Sequence, residues 1–560
     1  MSSRYDNSRV KGMLHAQGRK IVNGDGEEII LRGWGAGNWT NPEGFMVGIG
    51  EKYMGSCMSP ELALPGRFQS GRTMTTVIRE TCGTKYAREF WPRWHAAHLA
   101  EADIREMARL GYNSIRLPLT AWVLLPEEPE AEFDEAGFEM LTRVLDACEK
   151  YRIYAILDLH GAPGGQSGLW CDDGLDNVPH MFLEPESRER ALTLLEELAR
   201  RYGQRWIVGG YDVLNEPISI PRWHYLTPEL EAFYDEAVRR IRRHDKNHLL
   251  FLEGPVFATD TRMFKKNFDP ECSNWAISVH MYSFRPEKRS LFKFLEVSRR
   301  LNVPVWIGEG KSNNIDMCGF YEIAAREGIG FNLWCWKTVA GVESGAVKYD
   351  LPEGFQAILD YAMQGGARPT YAQSQALFDA LIERLKFENC RGDAEVHRYC
   401  QRRQGVEIPG AAYDGGHRGE SFYGENWEGN PLCFRAEDGM ELVLRDGVEV
   451  QDGPMLPGSK PNTASPLEEL LLALKEGEFA CYSVHPVTEE CPVEITARGK
   501  GRLRISCDGE ERDIAISRED EFETIPAMTL SAGAEKTVKI LGREGRVQIR
   551  SVAFRGREQG

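Results

Sequence analysis

Two glutamates in this 560-residue sequence stand at the ends of short apolar runs: Glu216 in VLNEP (213–217) and Glu309 in WIGEG (306–310). The ends of neighbouring runs hold Arg116, His160, Asn215, His280, Tyr282 and Trp334. A pair of carboxylates that can be brought into one site suggests cleavage of a glycosidic bond. One must carry a proton for the leaving oxygen, and the other must stay ionised to attack the anomeric carbon. Glu216 is expected to be the acid/base, because aromatic walls and neighbouring negative charge raise a carboxyl pKa. Glu309 is expected to be the nucleophile, kept ionised by hydrogen bonds from Arg116 and Tyr282. A retaining enzyme holds the two carboxyls about 5–5.5 Å apart.

These residues converge only if parallel strands deliver them to one face. Apolar runs alternate with amphipathic stretches to about residue 390: IILRGWGAG from Ile29, SIRLPL from Ser114, YAILDLHGA from Tyr154, YDVLNEP from Tyr211, HLLFLEGP from His248, WAISVHMY from Trp275, PVWIGEG from Pro304 and GIGFNLWCWKT from Gly328. Eight such runs predict an α/β fold, a (β/α)8 TIM barrel, whose catalytic side chains lie at the strands' C-terminal ends. AEADIREMARLG and ESRERALTLLEELARRYG have helical periodicity and glycine stops. The stretch 41–97 is too long for an ordinary βα loop and is expected to be an insertion on the catalytic face. After about residue 388 the texture becomes short alternating runs with Gly and Asp turns: ELVLRDGVEV, FACYSVHPV, VEITARG, RLRISCDG, TVKILGREG and VQIRSVAF. The expected division is therefore a catalytic barrel over 1–388 and an all-β sandwich over 389–560, with DGPMLPGSKPNTASP from Asp452 as a loop.

The net charge of −17 and pI of about 5.4 repel phosphate backbones, so nucleic acid is not an expected partner; neutral sugars are not repelled. No run is long and apolar enough to span a bilayer, so no membrane partner is expected. The beginning, MSSRYDNSRVKGMLHAQ, has no apolar leader core, and the 13 cysteines form no CxxC pair. Together these predict reduced thiols and a cytoplasmic location, or secretion had a leader been removed.

VLNEP and WIGEG resemble the acid/base and nucleophile motifs of glycoside hydrolase family 5, in clan A. The resemblance runs from roughly Leu31 to Thr338. It implies substrate-binding roles for Arg116 in SIRLP, His160 in DLH, Asn215 in NEP, and His280 and Tyr282 in HMY, with Trp334 under the sugar of the −1 subsite. One departure is local: Gly310 and Lys311 stand where the family often has Phe. DLHGAPGGQSG and WCWKT are more similar to the exo-β-1,3-glucanase and β-glucosidase branch than to the cellulases. The C-terminal strands resemble carbohydrate-binding module families 6 and 35. Such sandwiches often hold calcium, so a structural calcium there is an expectation of the resemblance; the chemistry itself requires no cofactor or metal.

The expected activity is thus a retaining, exo-acting β-glycoside hydrolase on β-glucosides or short β-linked oligosaccharides. An endo-β-1,4-glucanase with an open cleft is the alternative, and a non-catalytic carbohydrate-binding protein a third. Each residue also has a plainer reading. Glu216 could make a structural salt bridge, Arg116 a rim ion pair, and His160 and His280 could be satisfied core histidines. Trp334 and Trp336 share a strand face, and only one can be a sugar floor. Trp39, Trp170 and Trp223 could line outer subsites or pack the rim. GEGKS (308–312) lacks the first glycine of a phosphate loop, GWGAG (33–37) the rest of a dinucleotide fingerprint, and GGQSG the spacing of a nucleophile elbow. There is no HExxH to imply a hydrolytic zinc.

Overall fold

The computed structural model describes residues 7–49, 66–128, 131–282, 287–311, 316–342, 344–428, 434–448 and 469–556. Eight parallel strands close a barrel: β1 (Arg32–Gly35), β2 (Ser114–Thr120), β3 (Tyr154–Gly161), β4 (Val208–Asp212), β5 (Leu249–Glu253), β6 (Trp275–Met281), β7 (Val305–Gly310) and β8 (Gly330–Leu333). Phe331 of β8 pairs with Arg32 of β1 and completes the ring. Every residue of these strands is buried, as expected where helices cover the outer face and side chains fill the interior. The two periodic stretches are the helices Glu101–Arg109 and Pro185–Tyr202. β4 lies earlier than the run YDVLNEP suggests, so Glu216 sits beyond the strand. The strand forms on Val208–Asp212 despite two glycines, because backbone pairing to β3 and β5 decides it.

Within 41–97, residues 50–65 lie outside the described residues. The remainder forms the helices Gly71–Cys82 and Thr84–His98. Ser70 caps the first by accepting from Thr73 N. They pack with Gln356–Gln364 and Tyr371–Leu385 around an apolar core of their own, containing Val77, Phe90, Trp94, Phe355 and Phe378.

The second region is a β-sandwich with its own core from Val406 to Phe554. Sequence texture and structure differ here in three respects. VEITARG and RLRISCDG are one strand, Cys491–Cys507, and TVKILGREG and VQIRSVAF are one strand, Lys536–Phe554. The two pair along most of their length, with Gly499 and Gly545 inside the ladder and Gly542 at one of its two register shifts, where the long strands bend. LLLALK forms a further strand, Leu470–Lys475, whose unbroken apolar run hid any alternation. Ahead of the sandwich, Asp393 caps a helix, Ala394–Gln401, which lays Val396 and Cys400 on the barrel core. The loop expected from Asp452 lies outside the described residues. The ten described cysteines are all free. No helix among the described residues is long and apolar enough to cross a membrane.

Candidate active site

At the C-terminal ends of the barrel strands all eight residues singled out from the sequence meet. Arg116, on β2, is fully buried and acts as the hub. Its Nη1 donates to Glu309 Oε1 at 2.6 Å, its Nε to Asp212 Oδ2 at 2.8 Å, and its Nη2 to Asn215 Oδ1 at 2.9 Å and Glu253 Oε1 at 3.1 Å. Asp158 Oδ2 lies 3.1 Å from Nη1. One guanidinium thus faces four carboxylates, the planar, permanently charged geometry that suits Arg to this role.

Glu309 ends β7 and is 5% exposed. Tyr282 Oη donates to its Oε2 at 2.6 Å, and His280 Nδ1 lies 3.6 Å from the same oxygen. Burial alone would raise the carboxyl's pKa. The charges of His280, Arg116 and His160, with the Tyr282 hydrogen bond, outweigh it and hold Glu309 well below the usual carboxylate range. Tyr282 is pushed well above its ordinary value by burial and then by Glu309, so it remains a donor.

Glu216 lies beyond β4 with φ 39°, followed closely by Ile218 at φ 52°. Left-handed backbone on residues with side chains is uncommon and gathers at functional sites. Here it is held by Glu216 N donating to Glu253 Oε2 at 2.6 Å and by Ser219 Oγ donating to Glu216 O at 2.8 Å. His280 bridges the site: Nδ1 meets Glu216 Oε1 at 2.6 Å and Nε2 meets Glu253 Oε1 at 3.0 Å. Burial works against its proton, but Glu253, Glu309 and Glu216 together raise it well above the ordinary histidine value. One ligand atom from each of Glu216, His280 and Glu309 falls within 4.8 Å of the others. Among the described residues this is the one group of three or more His, Cys, Asp or Glu spaced to hold a metal, and it lies in the bowl rather than in the sandwich.

His160 Nδ1 donates to Asp158 Oδ2 at 2.7 Å, and its ring stacks on Trp334 with centroids 5.1 Å apart and planes 1° from parallel. The glycines of GWGAG explain how Trp334 fits. A Cβ at Gly35 would come within 2.6 Å of the Trp334 ring, and one at Gly37 within 2.9 Å. Trp336, by contrast, turns into the barrel core and donates to Asp103 Oδ1 at 2.9 Å. Trp39 is fully buried, donating to His95 O, while Trp170 and Trp223 belong to an apolar cluster beside the site. The departure at Gly310 has a local cause: a Cβ there would lie 2.3 Å from the Tyr321 hydroxyl.

Four carboxylates at the site were not among the residues picked from sequence. Asp158 and Asp212 flank Arg116, and Glu253 ends β5; the strand-end rule could have found Glu253. Glu43 is different. It stands eight residues beyond β1, accepts from Trp170 Nε1 at 3.1 Å, and no spacing signals it. Burial, reinforced by Glu309 and Glu216 and opposed by His160, pushes its pKa up to about 8. Around it the loops after β1 and β3 are tied together, with Asn41 Nδ2 donating to Cys171 O at 2.7 Å.

Barrel, paired glutamates and arginine hub together define the architecture of a carbohydrate-cleaving (β/α)8 domain. Residues 74–339 match the family Cellulase (glycosyl hydrolase family 5), so the chain carries a glycosyl hydrolase family 5 domain. Among curated proteins it is 34% identical over 271 residues to a β-xylosidase of Phanerodontia chrysosporium, covering 48% of this chain and 52% of that protein. It is 26% identical over 273 residues to glucan 1,3-β-glucosidase 2 of Wickerhamomyces anomalus, covering 47% and 57%. The chain thus spans about half the length of the curated relatives it matches. The crystal structure of an endogalactoceramidase aligns over 96% of this chain and 100% of its own, with 14% identity and a TM-score of 0.46.

Proposed function

We propose that the protein is a retaining β-glycoside hydrolase, exo-acting on β-glucosides or short β-glucans, with Glu309 as nucleophile and Glu216 as acid/base. The observation that carries this reading is the spacing of the two carboxylates, oxygen to oxygen within 4.8 Å. Oxygens that close favour the short separation of a retaining pair over the about 6.5–9.5 Å of an inverting one. Glu309 attacks the anomeric carbon while the proton shared across the Glu216–His280 hydrogen bond passes to the leaving oxygen. Glu216 then takes a proton from the incoming water, which frees the sugar with its configuration kept. Arg116 and Tyr282 hold the nucleophile's lone pairs in place, Asn215 is set for the 2-hydroxyl, and Trp334 lies under the ring.

Exo action is supported by the loops after β1 and β3, which are tied together through Asn41, Glu43 and Trp170 beside the bowl. A neutral Glu43 carboxyl there is suited to donating to a terminal sugar hydroxyl. The names of the two curated relatives, a β-xylosidase and a glucan 1,3-β-glucosidase, support a small glycone. NMR of the first-formed product tests the mechanism, with the β-anomer expected and the α-anomer overturning it. Digestion of reducing-end-labelled cello- and laminari-oligosaccharides tests the mode. Exo action gives labelled products one unit shorter from the first minutes, whereas early mid-length fragments would favour an endo-β-1,4-glucanase.

A further inference from the structure

Beside Glu216 the wall of the bowl turns apolar. Cys171 Sγ lies 4.0 Å from Glu216 Oε2, and Cys171 clusters with Leu169, Trp170 and Ile220. Trp223 and Phe257 pack on this cluster while remaining half-buried. Tyr225 extends the surface outward, 66% exposed, with its ring 6.1 Å from that of Trp223. Phe257 is held there by unusual backbone. Val256, Phe257 and Ala258 are three successive side-chain-bearing residues at φ 61°, 52° and 55°. Such a run is disfavoured, most of all at the β-branched Val256, and persists only where its surroundings over-determine it. Phe257 N donates to Ser219 Oγ at 3.3 Å, and that same hydroxyl donates to Glu216 O at 2.8 Å. The Phe257 turn is therefore tied to the loop that carries the acid/base.

The polar side-chain atoms of Trp170, Trp223 and Ser219 on this wall are already engaged. Trp170 Nε1 donates to Glu43, Trp223 Nε1 donates to Asn177 O at 2.9 Å, and Ser219 both accepts and donates. A second sugar seated here would have to replace its hydroxyls' water hydrogen bonds, and groups that cannot do so lose affinity. An apolar group loses nothing and gains the aromatic surface. We infer that the leaving-group subsite takes an apolar aglycone, alkyl or aryl, in preference to a second sugar, with Trp223, Tyr225 and Phe257 selecting it. This rests on the retaining-hydrolase reading above. The products are the free sugar, which gains its hydroxyl from water, and an alcohol or phenol, which leaves with the acid's proton.

The test separates the two ideas. β-D-glucosyl and β-D-xylosyl fluoride need no aglycone contact, so wild-type turnover of either establishes the glycone chemistry, and turnover of neither overturns the hydrolase reading and this inference with it. Methyl, butyl and octyl β-glycosides of the sugar that reacts are then compared below their micelle concentrations. Each methylene covered by the wall should raise kcat/KM about fourfold, so the octyl compound should exceed the methyl by at least about tenfold and should also exceed cellobiose and laminaribiose. Phe257→Ala should flatten this dependence on chain length; should that variant not fold, Tyr225→Ala, at an exposed position, should weaken it. A flat wild-type series, a disaccharide preferred over the octyl glycoside, or variants with the wild-type slope would overturn the inference while leaving the hydrolase reading intact.

Discussion

Two of the places where the protein buries charge make an instructive contrast. In the bowl, Glu43, Asp158, Asp212, Glu216, Glu253 and Glu309 surround the single arginine Arg116, with His160 and His280 beside it. At the seam between barrel and sandwich, Arg326 on the barrel helix Asp316–Arg326 meets Glu322 at 2.5 Å, Asp414 at 3.2 Å and Ser483 at 2.9 Å. Arg402 meets Asp414 at 2.6 Å, and Arg32 of β1 reaches His485. There the cations match or outnumber the carboxylates. Glu322 is held well below its usual range because His485, Arg326 and Arg402 outweigh its burial, and His485 is pushed down to about 4 by burial and the charge of Arg32. Asp414 is the exception at the seam: burial and the charge of Glu322 raise it against Arg402 and Arg326. The bowl has more carboxylates than cations, so protons must be shared and some carboxyls held neutral. Excess negative charge distinguishes a site from a clamp.

The largest way to break the contrast is at Glu309, the proposed nucleophile. Glu309→Ala should lower kcat on an activated aryl glycoside by at least about 10^4-fold, and azide should restore turnover by filling the vacated space; residual activity without azide would move the nucleophile elsewhere. At the seam, Arg402→Met should instead cost about 3–5 kcal/mol of stability by leaving Asp414 buried and short of its partner. Urea unfolding should register that loss while kcat stays within about twofold. A fall in kcat without loss of stability would show that the seam acts on the site.

Glu253→Gln should lower kcat by about 10^2-fold, because it weakens the hold on Arg116, His280 and the Glu216 backbone without touching substrate. Its pH–rate profile should shift as His280 loses the strongest influence retaining its proton, a change that a merely structural role would not produce. The smallest effect concerns Glu43. Folding raises its pKa from 4.5 to about 8, so between these values the folded protein binds a proton that the unfolded chain does not. Its contribution to stability therefore falls as pH rises through that window. Glu43→Gln should remove this slope, seen in melts from pH 5 to 9, and soften any loss of activity above about pH 8. An unchanged slope would place the titration elsewhere.

Much of the barrel and of its catalytic bowl was readable because both are local in sequence. A parallel strand buried on both faces is a short apolar run, and the chemistry stands at its end. His160, His280, Tyr282, Glu309 and Trp334 stand at or next to such ends, whereas Arg116 is the third residue of its strand and Asn215 and Glu216 lie beyond theirs. The sandwich was less legible, since a glycine inside a long bent strand is written like a glycine in a turn.

Residue type and position in a run were enough to nominate the two glutamates, because residues at and just beyond a strand end in a closed barrel open on one face. Tertiary structure alone brought Glu43 across from the insertion, turned Trp336 inward while Trp334 stayed at the bowl, and tied Phe257 to the loop that carries Glu216. It also distinguished the balanced charges of the seam from the unbalanced charges of the bowl. Each outcome depends on which groups lie within a few ångströms after the chain closes on itself, and neither charge compensation nor desolvation has a value until those neighbours are in place.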